Sequence, residues 1–250
     1  MSTTESSMPD LASTRAVFVS DVHLTTPDRK NYRRMLALLD TLSGVPDLFI
    51  LGDFFDFWFG FDRVVPAHYV PVLSALERTA RAGTRIHFVE GNHDFEMGDY
   101  FTRTLGAVVH PEWGEATLDG RRLFLGHGDT IDRNDTGYLR LRRVLRSAPV
   151  RWLGHNLPPK AILWVADRLD QATASGSGYA SHLPDLFRDF ARARWAEGYD
   201  GVLLGHCHVP EYTEEAVDGR TCFYANLGDW VANYTYLTWD GEGFTLRRFD

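Results

Sequence analysis

Three short apolar runs, at 16–20, 47–51 and 85–89, alternate with stretches of helical spacing, and that rhythm leaves few folds open to the chain. Between the first two runs Tyr32, Met35, Leu36, Leu39 and Leu42 recur near helical intervals, which predicts a helix over 29–42. A second helix is predicted over 66–82, opened by Pro66 and stopped by Gly83. Strand and helix alternating in this way imply a mainly parallel sheet covered by helices. Farther on, short strands are predicted at 116–118, 121–125, 201–204, 221–225, 235–238 and 244–247, with Asp-Gly turns at 119–120, 218–219 and 240–241. They predict a second, mixed or antiparallel sheet stacked on the first.

Composition narrows the class. A chain of 250 residues with 44% hydrophobic and 24% charged residues is globular, neither disordered nor fibrous. No apolar stretch reaches the roughly 18 residues that a spanning helix needs, and the polar start, 1–15, reads as a disordered segment ahead of a single domain over 16–250. Two cysteines, Cys207 and Cys222, make no disulfide framework, so a reducing cytoplasm is expected. The net charge of −8 argues against a general nucleic-acid binder. That charge is unevenly spread: 133–160 carries +6 and the remainder −14.

Five motifs each follow a predicted strand: Asp21-Val22-His23, Gly52-Asp53, Gly91-Asn92-His93-Asp94, Gly126-His127-Gly128-Asp129 and Gly205-His206-Cys207-His208. In open sheets, ligand sites form beyond the carboxyl ends of the strands. Asp, Asn and His together offer mixed oxygen and nitrogen donors suited to Mn²⁺, Fe²⁺, Co²⁺ or Zn²⁺. In an extended or tightly turning segment, side chains two apart can face the same side. Asp21 and His23 would then converge, as would His206 and His208 with Cys207 turned back into the protein. Asp53 has a carboxylate able to bridge two ions. His68, His87, His110, His155 and His182 read as core or surface residues. Asp56, Asp94 and Asp129 read as partners that orient ligands or loops, and the aromatic cluster from Phe54 to Phe61 as a wall of the core beside the site.

In this order the five motifs resemble the calcineurin-like metallophosphoesterases over 17–229. The resemblance implies an α/β fold, a four-layer αββα sandwich of two mixed β-sheets flanked by helices, with two divalent ions, Mn²⁺ expected, at one end. Carried over residue by residue, Asp21, His23, Asp53 and His208 hold the first ion; the bridging Asp53 with Asn92, His127 and His206 holds the second. His93 matches the histidine that contacts the leaving or non-bridging oxygen of the substrate and is the catalytic candidate.

Within that superfamily the runs around Asp21, Asp53, His127 and Asp229, with Asp135-Thr136-Gly137-Tyr138, are similar to the UDP-2,3-diacylglucosamine diphosphatases of lipid A biosynthesis. That family hydrolyses its nucleotide-sugar lipid to UMP and 2,3-diacylglucosamine 1-phosphate, lipid X. It carries a helical lid between the fourth and fifth metal motifs, which corresponds to about 130–180 here. The resemblance places Asn92, His93, Asp135, Tyr138, Arg142 and His206 at the substrate. Its best-known members have arginine where this chain has His93, and polar residues in a later lid helix where this chain has 173–178, small and flexible in composition.

The insertion also reads on its own. Leu139, Leu141, Val144 and Leu145 form one apolar cluster; Trp152, Leu153, Leu157, Ile162, Leu163, Trp164 and Val165 form another, with arginines interleaved. This is the composition of interfacial helices near anionic lipid, which predicts peripheral contact with the inner membrane surface. A helical hairpin packing its leucines on the core is the alternative. For the whole chain, the alternatives are a phosphoesterase acting on another nucleotide diphosphate or phosphodiester, and a catalytically silent scaffold of the same fold. Oligomeric state is not legible in the sequence.

Overall fold

Near-continuous apolar runs such as 16–19, 47–51 and 201–204 are buried on both faces and build the centres of two sheets. The computed structural model describes residues 11–60, 64–158, 160–162, 168 and 181–250. The chain runs through β1 (Ala16–Val19), α1 (Lys30–Thr41), β2 (Asp47–Leu51), α2 (Val70–Arg81), β3 (Arg85–Val89) and β4 (Val108–His110). It continues through β5 (Trp113–Leu118), β6 (Arg121–Gly126), α3 (Thr136–Leu145), α4 (Ala148–Asn156) and the helix labelled α5 here (Leu183–Ala196). It ends with β7 (Gly201–Leu204), β8 (Glu211–Val217), β9 (Arg220–Asn226), β10 (Thr235–Trp239) and β11 (Phe244–Arg248).

Among the described residues one sheet has the order β11-β10-β1-β2-β3-β4 and the other β5-β6-β7-β9-β8. Both are mixed: β1 to β4 run parallel beside antiparallel β10 and β11, and β6, β7 and β9 run parallel between antiparallel β5 and β8.

Three cores follow from this arrangement. Val17, Val19, Leu48, Ile50, Ile86 and Phe88 face Tyr32, Met35 and Leu39 of α1 and Val72 and Leu76 of α2. Their strand neighbours Phe18, Phe49, Leu51 and Val89 face Leu123, Leu125, Leu203, Phe223 and Ala225 across the sandwich. Phe124, Val202, Leu204, Cys222 and Tyr224 turn outward onto Leu183, Phe187, Ala191 and Trp195 of α5. Helices, sheet, sheet and helix make the four layers of an αββα sandwich.

The structure departs from the sequence expectations in particular places. Residues 11–15 are fixed rather than frayed: Leu11 is buried in the α1/α2 core, Thr14 N–H donates to the Leu11 carbonyl, and Arg15 N–H joins Trp239. The helix expected from residue 66 begins with a 3₁₀ turn, Ala67–Tyr69, before α2, whose first turn holds Pro71 where an amide proton is not required. Strands β4 and β8 and helix α5 were not predicted. Among the described residues no helix is long and apolar enough to cross a membrane. The expectations for 1–10, Phe61, the apolar residues 163–165 and the 173–178 stretch lie outside the described residues.

Candidate metal centre

Because β1, β2 and β3 run parallel in one sheet and β6 and β7 in the other, the five motif loops leave their strands at the same end of the sandwich. Asp21, fully buried, brings Oδ1 to 3.1 Å from His208 Nε2. His23 Nε2 lies 3.3 Å from His208 Nε2, 3.9 Å from Asp53 Oδ2 and 4.0 Å from Asp21 Oδ1. On the other side of Asp53, Oδ2 is 3.3 Å from His127 Nε2, which is 2.9 Å from Asn92 Oδ1. The His206 ring stands edge-on to His127 with centroids 5.1 Å apart. Six of the seven expected donors therefore converge, in two groups that share Asp53, and the seventh, His206, stands beside His127.

The tautomers suit a cation. His127 Nδ1–H donates to the Leu51 carbonyl at 3.0 Å, so Nε2 presents its lone pair toward two oxygens, Asn92 Oδ1 and Asp53 Oδ2. Three acceptors facing one another repel unless positive charge lies between them. Electrostatics agree. Burial works against the His127 imidazolium, but Asp53 and Asp21 outweigh it and push its pKa well above the usual value. Burial likewise works against the Asp53 carboxylate, yet His127, His93 and His23 hold its pKa well below the carboxylate range. His206 is pushed down to about 4 by burial and by His127. The field that favours a proton on His127 favours a cation in the same place.

His93 lies against the seven, a ring nitrogen within 4.8 Å of ligand atoms of both His23 and Asp53. Its amide donates to Asp53 Oδ1 at 2.9 Å, its Nδ1–H to the Asp56 carbonyl at 2.8 Å, and its ring lies edge-on to His23 at 5.0 Å. Burial opposes its charged form, but Asp53 and the Asp56 carbonyl raise its pKa above the usual histidine value.

The loops are held by close backbone approach and buried hydrogen bonds. A Cβ on Gly91 would overlap Asp53, and one on Gly205 would overlap Ser20 Oγ and Asp21 Oδ2. The Asp94 carboxylate accepts four backbone N–H groups, from Asp53 and Gly91 on Oδ1 and from Phe54 and Phe55 on Oδ2. Several supports escaped the sequence expectations. Asn31 donates to the Val22 and His23 carbonyls at 2.7 and 3.1 Å. Asn226 donates to Gly205 at 2.7 Å, Asn233 to His208 at 3.0 Å, and Trp230 N–H to Asp21 at 2.9 Å. Asn226 ends β9 and Trp230 closes the Gly-Asp run that follows it, which resembles the motif loops; Asn31 carries no such signal.

The expected core and surface histidines stay outside the centre: His155 stacks on Phe59 beside Glu96, His182 meets Asp132, and His87 meets Asp47. Phe54, Phe55, Trp58 and Phe59 are buried, as a wall beside the site requires.

In the insertion, Tyr138 O–H and Arg142 Nε both donate to Asp129 Oδ2, two residues past His127. Asp135 caps α3 by accepting the Tyr138 N–H at 2.9 Å and remains exposed, so it is not brought to the seven donors. The α3 helix buries no residue, and Val144, Trp152 and Leu153 are 57%, 66% and 47% exposed. Leu139, Leu141, Leu145 and Leu157 are half-buried, so α3 and α4 pack some of their leucines while Val144, Trp152 and Leu153 face outward. Three arginines are committed to acids of the sandwich: Arg142 to Asp129 and Glu112, Arg146 to Glu90, Arg151 to Glu96.

The chain is similar in sequence to known proteins. Over 240 residues the chain is 31% identical to a UDP-2,3-diacylglucosamine hydrolase of Pseudomonas putida, covering 94% of this chain and 98% of that protein. It is 32% identical over 236 residues to the protein of the same name in Azotobacter vinelandii, covering 93% and 98%. A solved archaeal phosphodiesterase aligns with a TM-score of 0.45 at 13% identity, over 93% of this chain and 98% of that one. Residues 14–210 match the family model for calcineurin-like phosphoesterases. With that match beside the converging donors, the chain belongs to the calcineurin-like phosphoesterase family, and it is a metal-dependent hydrolase of that dinuclear family.

Proposed function

We propose that this enzyme hydrolyses the diphosphate of UDP-2,3-diacylglucosamine to UMP and 2,3-diacylglucosamine 1-phosphate in lipid A biosynthesis, with two Mn²⁺ ions. The observation that carries the reading is the likeness, over nearly the whole chain, to relatives named for that substrate. Asp21, His23, Asp53 and His208 would hold one ion; Asp53, Asn92, His127 and His206 would hold the other. Ions bound there supply Lewis acidity toward the phosphoryl oxygens and lower the pKa of attacking water.

The chain's own groups do the rest. With Nδ1–H engaged by the Asp56 carbonyl, His93 has Nε2 left to meet a phosphoryl or leaving oxygen and deliver a proton to it. Tyr138 and Arg142, gathered on Asp129, and Asp135 at the start of α3 would contact the glucosamine and diphosphate. The insertion over about 130–180 is then a lid on a single domain spanning 16–250. Exposed Val144, Trp152 and Leu153, with exposed Arg140, Arg143 and Lys160, favour peripheral contact with an anionic inner membrane surface from the cytoplasmic side.

A second reading, hydrolysis of another nucleotide diphosphate or a phosphodiester, draws on a cleft of about 330 Å³ beside the Asn92 loop. Glu90, Glu96, Glu112, Arg146 and Arg151 make that cleft more charged than an acyl chain prefers. UMP release from UDP-2,3-diacylglucosamine and from UDP-glucosamine, measured with Mn²⁺, separates the two. Burying even a few acyl methylenes at about 0.8 kcal/mol each favours the acylated substrate more than tenfold. Equal rates would transfer the assignment to the second reading.

A further inference from the structure

Helix α3 lays one polar stripe across two loops of the metal centre. Tyr138, Arg142 and Arg146 recur at four-residue spacing; the first two reach Asp129 beyond His127, and the third reaches the loop that carries Asn92. Arg146 Nη2 donates to the Gly91 carbonyl at 2.7 Å, and Nη1 donates to Glu90 Oε2 at 2.9 Å and to the Pro111 carbonyl at 2.7 Å. The guanidinium lies over the Phe95 ring, 5.2 Å from its centroid, and the side chain is 15% exposed. The Gly91 carbonyl belongs to the peptide that joins Gly91 to Asn92. On its amino side Gly91 is already fixed, since its N–H donates to Asp94 and a Cβ there would overlap Asp53. Arg146 therefore sets the peptide plane from which the Asn92 side chain leaves, and Asn92 Oδ1 meets His127 Nε2 at 2.9 Å.

The geometry points to Arg146 as a positioning residue for the Asn92–His127 half of the metal centre; the inference rests on the two-ion reading above. The other half is braced differently. Asn31, Asn226, Asn233 and Trp230 hold the Asp21, His23 and His208 loops, and all four belong to the sandwich. The insertion thus braces Asn92 and the stretch after His127, while the loops of Asp21, His23, His206 and His208 are braced by the sandwich. A guanidinium is required because one planar fork spans three acceptors in different directions, which an ammonium does not.

The test uses the full chain and Mn²⁺ alone, by calorimetry and by bound metal after equilibrium dialysis. Arg146→Met by itself strands the buried Glu90 carboxylate and risks unfolding, so it is combined with Glu90→Gln. Glu90→Gln alone keeps Arg146 on Gly91 and serves as the reference, with exposed Arg143→Met as a control on the same helix. In the double variant one Mn²⁺ equivalent is expected to weaken about 10–100-fold while the other stays within about twofold, as loss of a ligand-orienting partner does. Melting in EDTA should match Glu90→Gln, and Arg146→Lys should recover only part of the lost affinity. Loss shared by both ions, or no loss, would overturn the role of Arg146 while leaving the two-ion reading intact. Wild-type protein that takes up fewer than two Mn²⁺ would remove both.

Discussion

Asp21, His23, Asp53, His206 and His208 all lie in the left-handed backbone region, with φ between 48° and 66°. Such a conformation costs a non-glycine residue on the order of 1–3 kcal/mol when the surroundings do not enforce it. Here hydrogen bonds donated by Asn31, Asn226 and Asn233, and backbone N–H groups accepted by Asp94, hold the loops in it. Of the two backbones open to Asp21-Val22-His23 and His206-Cys207-His208, extended or tightly turning, the structure takes the tight turns. These send His208 toward Asp21 and His23, and His206 toward His127. Asp53→Ala is expected to abolish hydrolysis and lower Mn²⁺ uptake below two equivalents without altering the far-ultraviolet circular dichroism. His93→Ala should keep both ions but lower kcat by roughly 10²–10⁴-fold, the usual worth of a positioned proton donor. Donor identity was legible because Asp, Asn and His follow apolar runs; the choice of a turning over an extended backbone was not, because it is imposed by residues such as Asn31 that lie in other elements.

Remote from the centre, Asp47 is buried at the start of β2 with Arg85 at 2.8 and 2.7 Å and His87 at 3.2 Å. Burial raises its pKa, but the bonds from His87 and Arg85 outweigh that and leave it below the ordinary value of 3.8. A carboxylate depressed on folding contributes stability above its unfolded pKa and loses it as pH falls through the folded one. Asp47→Asn should cost about 1–3 kcal/mol at pH 7. The gap to wild type should narrow below about pH 4, as followed by urea denaturation across that range.

At the scale of elements, α5 shows what a pattern search missed and why. Leu183, Phe187, Ala191 and Trp195 recur every four residues and are all buried against β6, β7 and β9. That stripe was present in the sequence, but the second half of the chain was read as strands and turns. Strand β8 was missed for a different reason. It lies at the edge of its sheet, with only Glu214 and Ala216 exposed among half-buried residues, and its three glutamates, Glu211, Glu214 and Glu215, put charge there as an edge strand does to discourage pairing with other chains. α5 also bears on the centre, since a Cβ on Gly128, next to His127, would meet the Phe187 ring at 2.8 Å. Phe187→Ala is expected to cost about 3–5 kcal/mol and to lower activity by loosening the His127 loop, whereas exposed Trp152→Ala should shift stability by less than about 0.5 kcal/mol. Thermal denaturation and the hydrolytic rate, measured on both variants, check this difference.

For the whole molecule, the partition of charge into a −14 body and a +6 segment was legible, but its use was not. Arg142, Arg146 and Arg151 spend their charge on Asp129, Glu90 and Glu96, so they anchor the insertion to the sandwich and add little to its outward field. Arg140, Arg143 and Lys160 remain exposed on the segment that also exposes Val144, Trp152 and Leu153. A membrane-facing role then has a particular signature. Each exposed cation near an anionic surface contributes on the order of 1 kcal/mol, so Arg143→Ala should weaken binding to phosphatidylglycerol vesicles by roughly fivefold. The loss should fade as added salt shortens the screening length. Arg151→Ala, removing a charge already matched by Glu96, should leave vesicle binding nearly unchanged while loosening α4. Trp152→Ala with Leu153→Ala should weaken binding at every salt concentration, because that contribution is apolar area. Equal losses for Arg143→Ala and Arg151→Ala would mean that net charge alone draws the protein to lipid, and the exposed face of α3 and α4 would lose its claim to be the contact surface.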